Sequence, residues 1–313
     1  MREVAVKSVF RDPSELPAGP YPVVALGNFD GVHLGHQAIL KTARKHAHEA
    51  GGRAFALTFD PPPAKVLFPA QAPPLITTPE DKLDLLTRIG LDGVLVMNFT
   101  RELSMLAPRE FVRQYLVGAI GARAVVVGRT VTFGHDRGGD AAAMVEFGRE
   151  FGFTTIVVEP VAADRIEVSS SRIRELIAAG EVKRAALMLG RPHFLNGVVV
   201  KGRGRGRKIG FPTANLAAAT ECVPPDGVYA ARVVVFGSAY PAIVNIGTRP
   251  TFDETERVIE AYIFDFAGDL YGLRVRLELV ERVRGEKKFD SAEHLARQIA
   301  GDIEHAKKIL AQV

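Results

Sequence analysis

The chain has 313 residues, enough for two domains of ordinary size, and its 47% hydrophobic and 24% charged content is that of a globular protein in water. No apolar stretch reaches the roughly 18 residues of a membrane span, and the polar start, Met1 to Arg11, is unlike a signal peptide. One cysteine, Cys222, excludes an intrachain disulfide and a Cys-based zinc site, so a reducing cytoplasm is the expected compartment, while a net charge of +4 is too mild to argue for nucleic acid by itself.

From the N-terminus, short apolar runs alternate with helical patterns. Strands are predicted over Val23 to Leu26, Ala54 to Phe59, Gly93 to Met97, Ala124 to Val127 and Thr154 to Val158. Helices are predicted over Gln37 to Ala50, Pro79 to Ile89, Pro108 to Val117 and Ala141 to Phe151, and two more near Ser171 to Ala179 and Val182 to Leu189 close this half. Each strand is nearly continuous in its apolarity, as a strand buried on both faces should be. The alternation predicts a parallel sheet flanked by helices, a Rossmann-like α/β architecture.

At Gly190-Arg191-Pro192 the pattern changes. Strands follow over Gly197 to Val200, Gly227 to Phe236, Tyr240 to Ile246, Glu256 to Phe266 and Leu273 to Val283, punctuated by Pro224-Pro225-Asp226-Gly227 and Gly268-Asp269. A last amphipathic helix runs from about Ser291 to Leu310. Strands with one terminal helix predict a compact antiparallel β-barrel. The chain is therefore expected to divide into residues 1–187 and 188–313, an α/β domain followed by a β domain.

The most informative run is Gly27 to Gln37, GNFDGVHLGHQ, lying between the first strand and the first helix. Gly27, Gly31 and Gly35 let the backbone turn sharply and approach a ligand. The following helix start offers free N–H groups and a positive dipole end, which suits phosphate. His33 and His36 add donors that can meet charge developing on a phosphate in transfer, and Asn28, Phe29 and Asp30 complete the run. It resembles the His-x-Gly-His signature of the nucleotidyltransferase superfamily, in which ATP is attacked at its α-phosphate and pyrophosphate leaves.

Three further segments belong with it. Thr58-Phe59-Asp60-Pro61 follows the second strand, where ligands gather in an open parallel sheet. Gly128 ends the fourth strand, and Thr130 and Val131 begin a Gly-rich loop containing Phe133-Gly134, Arg137 and Asp140. Ser169-Ser170-Ser171-Arg172-Ile173-Arg174 opens a helix and reads either as a second phosphate clamp or as a capped helix start with solvated arginines. Together these segments make the first half similar to the FMN adenylyltransferase module of bacterial bifunctional riboflavin kinase/FAD synthetases. Against the motifs of that family, Pro62 stands where His is usual, Thr130-Val131 replaces an Asp/Asn-Phe pair, and Ser171 replaces Thr. The resemblance implies that His33 and His36 serve the triphosphate, that Ser170, Ser171 and Arg172 serve the leaving pyrophosphate, and that FMN and ATP yield FAD.

In the second half, Lys201 to Asn215 reads KGRGRGRKIGFPTAN. Lys201, Gly202, Gly204, Gly206, Lys208 and Gly210 form a basic, glycine-punctuated loop able to approach ATP phosphates, and Thr213 and Asn215, just past Pro212, offer oxygen ligands of the kind Mg²⁺ takes. The same loop invites a nucleic-acid reading, against which it is short and carries no interleaved aromatics for base stacking. Glu260 lies in a strand whose neighbours Ile259 and Ala261 should face the other way, and a carboxylate in so apolar a strand needs a partner or a function.

The Pro-Thr-Ala-Asn segment resembles that of riboflavin kinases. The similarity continues through Asp226-Gly227-Val228-Tyr229-Ala230, Asn245-Ile246-Gly247-Thr248, Asp269-Leu270-Tyr271-Gly272 and Lys288-Phe289-Asp290-Ser291. It implies Glu260 as the base that takes the proton of the riboflavin 5′-hydroxyl, with ATP and Mg²⁺ as cosubstrate and metal. The expected partners are thus riboflavin, FMN and ATP, with neither nucleic acid nor membrane. A riboflavin kinase whose first half is a degraded or repurposed nucleotide-binding domain, and an Arg/Gly-loop nucleic-acid binder, are the two other readings.

Overall fold

The computed structural model describes residues 8–202, 210–250 and 255–312. It divides into two compact units, Met1–Ser169 and Ser170–Val313.

The first unit is built on six strands: β1 (Val9–Phe10), β2 (Pro22–Leu26), β3 (Arg53–Phe59), β4 (Gly93–Met97), β5 (Ala124–Gly128) and β6 (Thr154–Val158). They lie in the order β1-β4-β3-β2-β5-β6, and every pairing is parallel. Alternate residues leave opposite faces of a strand. Accordingly, Val24, Leu26, Val125 and Val127 pack on one side with Phe111, Leu116 and Met144, while Val23, Ala25, Ala124 and Val126 pack on the other with Leu40, Ala43 and Leu86. From β2 the chain steps outward to β3 and β4, then crosses back to place β5 on the other flank of β2. In an open parallel sheet such a reversal leaves a crevice at the carboxyl ends of the strands, where ligands bind. The turns after β2 and β5 both sit there. An additional two-stranded ribbon, β7 (Ala162–Ala163) with β8 (Ile166–Glu167), precedes the end of the unit.

The second unit opens with the helices Ser170–Ala178 and Val182–Leu189. The sequence pattern attaches these helices to the first half, whereas they fall in the unit that holds the barrel, because Val182 is fully buried in the barrel's own core cluster. The strands β9 (His193–Val200), β10 (Ala214–Ala218), β11 (Gly227–Val235), β12 (Ser238–Pro250), β13 (Thr255–Ile263) and β14 (Arg274–Gly285) close in the order β10-β13-β12-β11-β14-β9, all antiparallel. Among the described residues the ring closes through a short pairing of β10 with β13, Ala214 against Ala261 and Asn215 against Glu260. Tyr229, Ala231, Val244, Ile246, Ile259 and Ala261 fill the interior. On the outer face, Val228, Ala230, Ile243 and Phe264 are covered by Ile303 and Ala306 of the helix Ala292–Leu310. Arg284 on β14 clamps that helix with Nε and Nη2 on the buried carboxylate of Asp302, at 2.9 and 2.8 Å.

Candidate active sites in the two units

The turn after β2 is held in an unusual conformation. Phe29, Gly31 and Val32 have φ of 53°, 82° and 40°, a region that a β-branched residue such as Val32 rarely enters. Several interactions hold it there. Phe29 is fully buried, and a Cβ at Gly27 would meet its ring at 2.8 Å, so the turn closes only with glycine at that position. The Asp30 carboxylate accepts hydrogen bonds from the backbone N–H groups of Ile76 and Thr77 and from the Thr77 hydroxyl, at 3.1 to 3.2 Å. Gly31 N–H donates to the same hydroxyl at 3.1 Å. Asp30 therefore secures the turn to the segment ahead of the next helix.

His33 ends the turn and caps the helix Leu34–Glu49, its Nδ1 accepting from His36 N–H at 3.3 Å. With Nδ1 as acceptor, the proton of the neutral ring is on Nε2. The rings of His33 and His36 stack with centroids 3.6 Å apart and planes 17° apart, and Phe29 meets His36 edge-on at 5.3 Å. A Cβ at Gly35 would lie 3.2 Å from the His33 ring, so glycine there leaves the imidazole its place. Two histidines, seven and ten residues beyond the end of β2, are thus stacked at the first turn of a helix, where N–H groups point outward.

Beside this turn, the end of β3 carries Thr58, Phe59 and Asp60. Thr58 is buried and its hydroxyl donates to the Asn28 carbonyl at 3.0 Å. Asp60 is half-buried and pairs with Arg11 at 3.5 Å. Lys82, from the helix Pro79–Thr87, is buried here and donates to Thr58 Oγ1 and to the Phe59 carbonyl at 3.2 and 2.9 Å. Burial pushes its pKa below the ordinary lysine value, and the nearby carboxylates of Asp60 and Asp30 oppose the shift. Sequence reasoning passed over Thr77 and Lys82, since a lysine four residues into a helix with a polar face reads as solvated. Thr77 and Thr78, just ahead of Pro79, are buried as well.

Pro62 occupies the position before the helix Pro63–Leu67 and makes no side-chain cap there. Thr130 is exposed and Val131 packs against the sheet's core in the loop after β5, with Val131 N–H donating to the Gly128 carbonyl at 3.0 Å. Ser170, Ser171 and Arg172 start the helix Ser170–Ala178 in the second unit, where Arg172 pairs with Glu175 at 2.8 Å.

In the barrel, Glu260 on β13 stands opposite Asn215 on β10 and Asn245 on β12. Directly opposed residues emerge on one face. Because Ile259 and Ala261 fill the barrel interior, this face is the outer one. A carboxylate is thus flanked by two amides in a single rung across three strands. Asn215 is buried, and a Cβ at Gly202 would fall 2.2 Å from its amide nitrogen, so the basic loop begins with its backbone against Asn215. Lys201, Gly210 and Pro212 are exposed and Thr213 is half-buried; Gly204, Gly206 and Lys208 lie outside the described residues. Thr213 and Asn215 supply two hard oxygen donors, and among the described residues no group of three His, Cys, Asp or Glu could hold a metal. That donor set fits Mg²⁺ carried mainly by phosphate oxygens. Asn245, in the same rung, is the neighbour whose place the sequence left unassigned.

A family model described as FAD synthetase matches residues 19–172, and one described as riboflavin kinase matches residues 189–310. The bifunctional riboflavin kinase/FMN adenylyltransferase of Bacillus subtilis (strain 168) is 38% identical over 290 residues, covering 91% of this chain and 91% of the relative. This chain belongs to the bifunctional riboflavin kinase/FMN adenylyltransferase family. The Escherichia coli (strain K12) member of the family is 34% identical over 281 residues, covering 90% of this chain and 90% of the relative. A crystal structure of a macrolide-efflux protein from Streptococcus pneumoniae, 33% identical, matches with a TM-score of 0.88 over 96% of this chain and 99% of its own. Among the described residues of the present chain, no helix is long and apolar enough to cross a membrane.

Proposed function

We propose that this chain makes FAD in two ATP-dependent steps, phosphorylating riboflavin on the barrel and adenylylating the resulting FMN on the parallel sheet. Membership of the bifunctional family carries this assignment. The catalytic modules are taken as residues 1–187 and 188–313, a boundary between the two family matches at 172 and 189.

In the barrel, the Glu260 carboxylate takes the proton of the riboflavin 5′-hydroxyl as its oxygen attacks the γ-phosphorus of ATP and ADP leaves. Asn215 and Asn245 flank that carboxylate and orient it. Thr213 and Asn215 would hold Mg²⁺, which neutralises polyphosphate charge when bound. The glycines of the basic loop, among them Gly202 and Gly210, let its backbone come close to the nucleotide.

On the sheet, an oxygen of the FMN phosphate attacks the α-phosphorus of ATP, the α–β bond breaks and pyrophosphate leaves. No covalent enzyme intermediate is needed, so the protein contributes alignment and charge stabilisation. His33 and His36, stacked at a helix start, donate to the triphosphate. Ser170, Ser171 and Arg172 serve the departing pyrophosphate, and Thr130 stands at the flavin side. The substrates are small molecules, with neither nucleic acid nor membrane as partner, and the cytoplasm is the compartment. Paired variants test this division: Glu260→Gln should abolish FMN formation and spare FAD formation from supplied FMN, and His36→Ala should do the reverse. A variant that impairs both reactions equally, or neither, would remove its residue from the assigned step.

A further inference from the structure

We infer that Lys82 is a positioning residue of adenylyl transfer, acting as an internal counter-ion that holds the Asn28–His33 turn and neutralises Asp30 and Asp60 from behind. The inference rests on the adenylyl-transfer assignment and extends it to a residue that none of the recognised motifs contains.

Lysine is almost never fully buried unless paired, and Lys82 is 5% exposed. Its ammonium donates to Thr58 Oγ1 at 3.2 Å and to the Phe59 carbonyl at 2.9 Å. Once Oγ1 accepts from the ammonium, the Thr58 hydroxyl proton is directed to the Asn28 carbonyl, 3.0 Å away. A relay of ammonium, hydroxyl and carbonyl thus reaches the turn. Two residues further along the turn, Asp30 is held by Ile76 and Thr77 of the segment leading into the lysine's own helix. One stretch, residues 76–82, therefore grips the turn at Asn28 and at Asp30, immediately before the left-handed Gly31 and Val32 that deliver His33.

The charges point the same way. Adenylyl transfer brings the ATP polyphosphate and the FMN phosphate to a turn that carries Asp30, beside a strand end that carries Asp60. Lys82 feels both carboxylates. With its charge removed, both would repel the incoming phosphates, and Arg11, 59% exposed, would be left as a solvent-screened partner for Asp60.

Lys82→Met keeps the buried stem and deletes the charge. In the full-length chain its KM for ATP in FAD formation from supplied FMN should rise about tenfold or more at 50 mM salt. The ratio to wild type should fall near 500 mM salt by the share due to half-buried Asp60, whose repulsion is screened, while the share due to buried Asp30 persists. Riboflavin phosphorylation by the same preparation should be unchanged, and Lys82→Arg should recover part of the ATP affinity. Thr58→Val breaks the relay without altering charge and should lower kcat while leaving the salt response of KM as in wild type. An unaltered KM in Lys82→Met, or a loss indifferent to salt, overturns the inference. If Lys82→Met does not fold, wild-type kinetics in Thr58→Val overturns it instead. A wild-type protein that makes FMN and no FAD would sink the adenylyl-transfer assignment, and this inference with it.

Discussion

Glu260 and His36, the proposed base and the proposed phosphate donor, represent two ways in which a fold presents a polar side chain. Strand alternation puts Glu260 on the face away from Ile259 and Ala261, and the pairing of β10, β13 and β12 brings Asn215 and Asn245 beside it. Loss of a general base costs roughly 10²–10⁴-fold, so Glu260→Gln should reduce FMN formation by at least about a hundredfold. His36 owes its place to a helix start and to stacking on His33. Its removal should lower FAD formation by about 10²-fold, the cost of one preorganised donor, with FMN formation as an internal control. His193 has a different role. It is wholly buried, donates from Nε2 to the Cys222 carbonyl at 2.7 Å, and burial holds its pKa down at about 4. Between pH 6.5 and about 4 the unfolded chain binds a proton there that the folded chain refuses, so stability falls as pH falls through that window. The ceiling on this contribution is about 3 kcal/mol. Denaturant midpoints followed across the window should decline less steeply for His193→Gln, and parallel declines would contradict it.

At the scale of elements, patterns with a strong period were legible and those resting on side-chain chemistry were not. The buried strands of the sheet and the helix Val182–Leu189 were read correctly from apolar runs and amphipathic spacing. The first helix begins at Leu34 rather than Gln37, because a histidine caps it and histidine is not among the usual capping residues. β1 escaped notice because it has two residues, and β10 because Pro212 and Asn215 make its start look like a turn. Of the candidate site residues, Asp30 proved to be engaged in holding the turn, and Lys82, which donates to Thr58 beside that turn, lay in a helix whose exposed face concealed it. Burial of a single polar group depends on contacts between distant segments, which no local pattern encodes. The terminal helix offers a test at this scale. Asp302 is 4% exposed and is clamped by Arg284 and by Gln298 Nε2 at 2.8 Å. Asp302→Ala strands a largely buried arginine and should cost about 3 kcal/mol, read as a lowered denaturation midpoint. A midpoint equal to wild type would show that the helix is held by Ile303 and Ala306 alone.

Over the whole molecule, the two architectures expected from the change in pattern near residue 190 are present, a six-stranded parallel sheet and a closed six-stranded barrel with its helix. The proposed steps ask different chemistry of them: adenylyl transfer on the sheet needs donors for a leaving pyrophosphate, and phosphorylation on the barrel needs a base for an alcohol. Two reactions in sequence, sharing FMN as product and substrate, follow from that division. The departures at Pro62, Thr130 and Val131 all lie in the sheet unit and leave the barrel untouched, so they bear on the second reaction alone. A time course with riboflavin, ATP and Mg²⁺, separating FMN from FAD by chromatography, tests the two-step synthesis most directly. FMN should rise first and then be consumed as FAD accumulates; FMN accumulating without FAD would contradict adenylyl transfer and leave the chain a riboflavin kinase.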